Sequence, residues 1–340
     1  MTTDRRNAMS SSSSREDEGG TARGRVLACF HDEWDVAVEG GRVVRATMRA
    51  RHFAGLPKDT KVVVPGDRVD VLLHPDGSNT IEAIHDRETV LSRRLPERRR
   101  VAEQIIVANA DRMVTVASFG LPRLNRRLLD RFLVIAEDAG LECVVVLNKI
   151  DLVDEVELRR HAEVYERADY EVVPTCALDG RGVDKLARLV EDGLSVFAGP
   201  SGAGKSSLLN AIEPGLGLRV REVSDKTRKG RHTTSNVTLF RLECGGVVAD
   251  TPGFRELGFF GIRADRLGEL FPEFRPLAGE CRFAGCNHVP EPDCAVKEAV
   301  ARGEVDAERY ESYRRLFAEL SGRPSGDDEG PAQPGDLPPL

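Results

Sequence analysis

An α/β fold, doubly wound about a parallel sheet and carrying a phosphate-binding loop, is predicted for the middle of this chain by two observations. Between Val101 and about Leu270, short apolar runs of β character alternate with stretches of helical period. Within that region stand Gly199, Pro200, Ser201, Gly202, Ala203, Gly204, Lys205 and Ser206, set between the apolar run 195–198 and the helical Leu208 and Leu209. Strand, glycine-rich turn and helix in that order are what a phosphate cradle needs. A third observation, five short β-rich runs before residue 95 with no helix of comparable length, places a small all-β unit in front.

The elements follow in chain order. Ser-rich polar residues over 1–23 and a Pro-, Gly- and Asp-rich stretch over 322–340 are read as unfolded tails. The β-rich runs are Arg25 to Phe30, Trp34 to Val38, Val43 to Met48, Arg68 to Leu73 and Thr80 to Ile84, with Gly40-Gly41 and Asp76-Gly77 as turns. They suggest a barrel of the oligonucleotide-binding type over 24–95, either an RNA-binding unit or a barrel that only packs on its neighbour. Over 96–270 the expected strands are Met113 to Ala117, Cys143 to Leu147, Glu171 to Pro174, Ser195 to Ala198, Val237 to Leu242 and Val247 to Ala249. Between Asn125 and Gly140, Leu128, Leu129, Phe132, Leu133 and Ile135 form one helical face, and Gly140 is its stop.

With 340 residues the chain is too long for one typical core. Hydrophobic residues are 40% and charged residues 31%, and no run approaches the ~18 apolar residues of a membrane span. A cytoplasmic protein with reduced thiols is expected, since the first residues lack the apolar core of a secretory signal. The formal net charge of −7 argues against simple coating of nucleic acid, so local basic clusters decide that question.

In the loop, Gly199, Gly202 and Gly204 let successive backbone N–H groups turn inward toward phosphate oxygens, and the following helix N-terminus, with Ser207 in its first turn, adds its dipole. Lys205 supplies a fixed positive charge, and Ser206 is the hydroxyl expected on Mg²⁺. Base choice belongs to Asn148, Lys149, Ile150 and Asp151, directly after the apolar run 143–147. The Asp151 carboxylate can accept from both guanine N1–H and its exocyclic amine, whereas adenine would set a lone pair against it. Cys176 and Ala177, after another strand, fit a loop whose backbone supports the base. Cys176 is either a small residue or an oxidisable thiol there. Asp250 ends an apolar strand and supplies a carboxylate for the magnesium shell, and Gly253 is free to turn its N–H toward a γ-phosphate. The next residue is Phe254, where many GTPases carry a water-orienting glutamine. The base-reading motif stands before the phosphate loop rather than after it, the order of a circularly permuted GTPase.

These motifs, in this order, resemble those of the small ribosomal subunit biogenesis GTPases of the RsgA family, over roughly residues 24–321. The resemblance implies that 230–234 is the first switch. Thr234 would contact magnesium and the γ-phosphate, and His232 would orient water, the alternative being an RNA-facing or merely exposed ring. Ser235 and Cys176 depart from the family pattern. The resemblance also implies a C-terminal zinc module over 271–321. There Cys281, Cys286, His288 and Cys294 offer three thiolates and one imidazole, a closed tetrahedral set suited to structural zinc. Cys29, Cys143 and Cys244 read as ordinary strand residues. A helix is expected over Val305 to Leu320, with Tyr310, Tyr313, Leu316 and Phe317 on a packing face.

Basic runs at 93–94, 98–100, Arg123, 126–127 and 226–231 are either solvated faces or contacts to RNA phosphates. The expected function is that of a monomeric assembly factor that hydrolyses GTP to GDP, binds the small ribosomal subunit and its rRNA in late maturation, and leaves on hydrolysis. The competing class is a non-catalytic scaffold that senses guanine nucleotide. Asp151 disfavours an ATP-dependent phosphotransferase.

Overall fold

Alternation along the first strands decides which side chains close a barrel. Whereas β1 (Thr21–Phe30) shifts register between Val26 and Ala28, in β2 (Glu33–Val38), β3 (Val43–Met48) and β4 (Arg68–Leu72) every second residue turns inward, and β5 (Asn79–Ile84) buries Asn79, Thr80 and Ile81 in succession. Val26, Trp34, Val36, Val44, Val69, Val71 and Ile81 make the interior. The strand order is β1-β2-β3-β5-β4, closed by β4 on β1 and parallel only between β3 and β5. The computed structural model describes residues 20–48, 62–96, 101–218, 237–250 and 261–322.

A hairpin follows that the sequence analysis did not anticipate. β6 (Val90–Pro96) pairs antiparallel with β7 (Val101–Ala108), running across residue 95. Leu91 and Val107 enter the same core as Met113 and Phe132, so the hairpin belongs to the seam between barrel and α/β unit. The barrel docks there by close backbone approach. Gly66 has φ of 94° and comes so near that a Cβ would lie 1.9 Å from the Ala108 carbonyl oxygen. The Asn109 amide donates to the Gly66 carbonyl at 3.1 Å.

The second sheet contains β8 (Arg112–Ser118), β9 (Glu142–Asn148), β10 (Glu171–Thr175), β11 (Leu194–Ala198), β12 (Thr238–Arg241) and β13 (Val247–Asp250). All fall within two residues of expectation. Their order is β10-β9-β8-β11-β13-β12, parallel except for β12. The chain leaves β8 in one direction and returns to start β11 on its other side, so the sheet reverses between them. The carboxyl ends of β8 and β11 therefore form the crevice where open α/β sheets take ligands. Helices α1 (Arg126–Asp138), α2 (Glu155–Glu166), α3 (Val183–Leu189) and α4 (Lys205–Ile212) belong to this unit. The Asn125 side chain accepts from the Leu128 N–H and so caps α1, and Asp154 does the same for α2.

Beyond the sheet come two 3-10 turns, Ala264–Leu270 and Pro272–Leu277, then α5 (Ala295–Ala301) and α6 (Ala307–Leu320). Tyr313, Leu316 and Phe317 pack on Phe271, Phe274 and Val134 of α1, so this aromatic face is core. The whole module is fastened to α1 by Arg309, 2% exposed, which donates to Asp130 at 2.8 Å and to both Glu273 oxygens at 2.6 and 2.9 Å. Burial opposes the charge on Arg309. The pull of Asp130 and Glu273 outweighs it and raises the pKa well above the usual value.

Two sequence readings are corrected here. Arg126, counted among the basic runs open to RNA, is 11% exposed and ion-paired with Glu308 at 2.6 Å and Asp306 at 3.5 Å, so it joins α1 to α6 instead. Cys244 is no strand residue; it lies exposed in the turn between β12 and β13. Among the described residues no helix is long and apolar enough to cross a membrane.

Candidate nucleotide site and metal centre

Every residue of β11 is buried, with β8 and β13 as parallel neighbours. Its apolar sequence therefore delivers the glycine-rich loop to the middle of the sheet edge. Gly199, at φ 144°, passes the Val116 carbonyl so closely that a Cβ would sit 2.2 Å from its oxygen. Gly204, at φ 97°, begins α4, and a Cβ there would meet the Asn148 amide nitrogen at 2.2 Å. No other residue type fits either position without strain. Ala203, Leu208 and Leu209 anchor the far side of the loop in the core. Lys205 Nζ lies over the loop, donating to the carbonyls of Gly199 and Pro200 at 2.8 and 3.0 Å. Ser201 is exposed, while Gly202, Ser206 and Ser207 are half-buried around the α4 N-terminus.

The base-reading motif leaves the end of β9 and touches this loop. Asn148, 1% exposed, donates through Nδ2 to the Ala203 carbonyl at 2.8 Å and accepts from the Thr175 hydroxyl at 3.1 Å. One side chain thus ties the tips of β9 and β10 to the phosphate loop. Lys149 turns through a left-handed φ of 64° and its Nζ donates to the Leu121 carbonyl after β8. Burial pulls its pKa down, against the attraction of Asp151. Ile150 packs inward, while Asp151 is exposed and accepts from the Cys176 thiol at 3.1 Å.

Burial raises the Cys176 pKa, and the bond to Asp151 adds to the effect. The thiol stays protonated at neutral pH, as a donor and a poor nucleophile, which weighs against the oxidisable reading. Ala177 packs beside it on the core formed with α3 and α4. Segments 148–151, 175–177 and 199–207 therefore surround one crevice at the carboxyl ends of the strands. The backbone of Asp250 ends β13, in register with Phe197 two residues before the loop. His232, Thr234, Ser235, Gly253, Phe254 and the basic runs 98–100 and 226–231 lie outside the described residues.

In the C-terminal module the ligand atoms of Cys281, Cys286, His288 and Cys294 all lie within 4.8 Å of one another. Cys281 Sγ is 3.5 Å from His288 Nδ1 and 3.9 Å from Cys294 Sγ, and His288 Nδ1 is 3.4 Å from Cys294 Sγ. Tetrahedral zinc would hold such atoms about 3.6–3.8 Å apart, so the set fits. Tyr310 and Tyr313 of α6 fix the loop by donating to the His288 and Asn287 carbonyls at 2.7 and 2.6 Å. Burial, with the Cys294 and Cys281 sulfurs, pushes the Cys286 thiol up to about 12.

A glycine loop joined through Asn148 to the 148–151 segment, with the strand of the glycine loop reached after the strand that carries 148–151, has the order of a circularly permuted GTPase. The comparisons agree. The profile of the RsgA GTPase family matches residues 84–260. The "Small ribosomal subunit biogenesis GTPase RsgA" of Gemmatimonas aurantiaca is 46% identical over 85% of this chain and 94% of that protein. The protein of the same name from Haemophilus influenzae is 36% identical over 89% and 86%. Among solved structures, YjeQ from Thermotoga maritima superposes with a TM-score of 0.73 at 36% identity, covering 89% of this chain and 99% of that one. YloQ, described as a circularly permuted GTPase, gives 0.70 at 30%, covering 90% and 97%. The chain belongs to the RsgA GTPase family. Guanine nucleotide and Mg²⁺ follow from that membership as its ligands.

Proposed function

We propose that the protein is a GTP-hydrolysing assembly factor that binds the small ribosomal subunit and its rRNA late in maturation and is released on hydrolysis. It acts as a cytoplasmic monomer, with an RNA-binding barrel up to 95 that begins at Thr21 because 21–23, expected as tail, pair with β4, then the GTPase unit over 96–270, a zinc module over 271–321 and a tail over 322–340. The observation that carries the reading is the Asn148 junction, by which the tips of β9 and β10 are hydrogen-bonded to the glycine-rich loop. The shared name of the relatives supplies the partner.

In this reading Asp151, supported by Cys176, selects guanine. The amides of 199–204 and Lys205 balance charge on the transferring phosphoryl group. Ser206, Thr234 and Asp250 would hold Mg²⁺, which would supply positive charge against the phosphates. Gly253 reports the γ-phosphate through its N–H, and His232 orients the attacking water where Phe254 cannot. Cys281, Cys286, His288 and Cys294 would hold zinc with no coordination position open, so its contribution is to folding.

The test is GTP hydrolysis measured with and without purified small subunits. A rise of at least about a hundredfold is expected, the lower end of what a positioned proton acceptor contributes. Equal rates would overturn the proposal. Zinc is tested by stoichiometry and by chelation, which should lower the melting temperature of the C-terminal module first.

A further inference from the structure

Among the described residues only two phenylalanines are exposed, Phe30 at 43% and Phe283 at 44%. Each has a guanidinium over its ring, Arg45 at 4.8 Å and Arg282 at 5.5 Å from the centroid. The second pair lies on the short loop between Cys281 and Cys286, whose ends are both drawn into the metal-ligand cluster. Arg282 is itself tethered. Its backbone N–H donates to the Asp293 carbonyl at 3.3 Å and its side chain to the Asp293 carboxylate at 2.6 Å.

We propose that the Phe283–Arg282 pair is a stacking platform for one unpaired nucleobase of RNA, and this rests on the ribosomal reading above. An exposed aromatic ring forgoes part of the stabilisation that burial gives elsewhere. Phe283 takes no part in the core that holds Phe271 and Phe274, and the Arg282 guanidinium lies over its ring. A protein partner is the poorer fit. Protein docking sites present contiguous apolar area, whereas Phe283 is the sole exposed large hydrophobic among the described residues of 261–322. One ring beside one guanidinium matches the area and the π-face of a single base, with positive charge for the adjoining phosphate. The cluster at both ends of the loop holds the ring in place before binding, which lowers the ordering cost.

The experiment is co-sedimentation of the full-length, zinc-loaded chain with purified small subunits in a non-hydrolysable GTP analogue. Phe283→Ala and Phe283→Leu should each weaken binding about tenfold, and Phe283→Tyr should stay within about threefold of wild type, the pattern of base stacking. Zinc content and guanine-nucleotide affinity should not change in any of the three. Full affinity in Phe283→Leu would mean apolar docking and overturn the inference, as would full affinity in Phe283→Ala. If the wild-type chain itself failed to bind subunits, the proposed function would fall and this inference with it.

Discussion

In the proposed function Asp151 is the residue that reads guanine, and in the structure one of its carboxylate oxygens accepts from the Cys176 thiol. Asp151→Asn replaces an acceptor by an amide donor, which then faces the guanine amine but suits the C2 carbonyl of xanthine. GTP affinity should fall by about a hundredfold or more, and xanthosine triphosphate should become the better ligand, measured by competitive titration. Retention of GTP affinity would remove Asp151 as the selector. Near it, Arg181 donates through its side chain and backbone to Asp179 and holds that carboxyl down at about 2, below its ordinary 3.8. A depressed folded value means that this turn stabilises the fold above about pH 4 and ceases to do so as the pH falls toward 2. Arg181→Ala should return the Asp179 titration toward 3.8, followed by carboxyl-carbon NMR. An unmoved midpoint would show that other groups depress it.

At the scale of elements, the phosphate loop works because β11 is buried on all sides and α4 starts at a glycine in a conformation closed to other residues. Gly204→Ala would drive a methyl into the Asn148 amide. It should destabilise the protein by about 1–3 kcal/mol and abolish tight nucleotide binding, read by thermal unfolding with and without GDP. A GDP-dependent rise in melting temperature equal to wild type would contradict that geometry. The strands of the second sheet were legible in the sequence because each is a short apolar run bounded by turn residues, and α1 because Asn125 and Gly140 mark its ends. The hairpin of β6 and β7 was not. Its Arg-rich residues 93–100 carry a charge signal that hides the alternation placing Leu91 and Val107 inside.

Across the whole molecule, the module bearing the metal ligands is joined to the GTPase unit by a buried cation between two carboxylates from different elements. Arg309→Ala leaves Asp130 buried without its partner and should cost about 3–5 kcal/mol. Arg309→Met, which retains most of the apolar stem, should cost less if packing of that stem matters. Chemical denaturation of both variants measures this. Two wild-type midpoints would mean the joint holds without its charge. Nothing local marked these three residues, because Asp130, Glu273 and Arg309 are ordinary helical charges until α6 is laid on α1. The same contact takes Arg126 out of the basic surface that its sequence suggests.

By itself the sequence carried the motifs and the chemistry each is suited to, since a glycine loop, an Asn-Lys-Ile-Asp segment and a set of three cysteines and one histidine are each made of residues close together along the chain. Only the tertiary structure decided that 148–151 and 199–206 face one crevice, that Asn148 is the strut between them, and that the metal-ligand module is bolted to α1. Those facts depend on which strands lie side by side and which helix faces meet, and pairing between distant segments leaves no periodic trace in the chain that forms it.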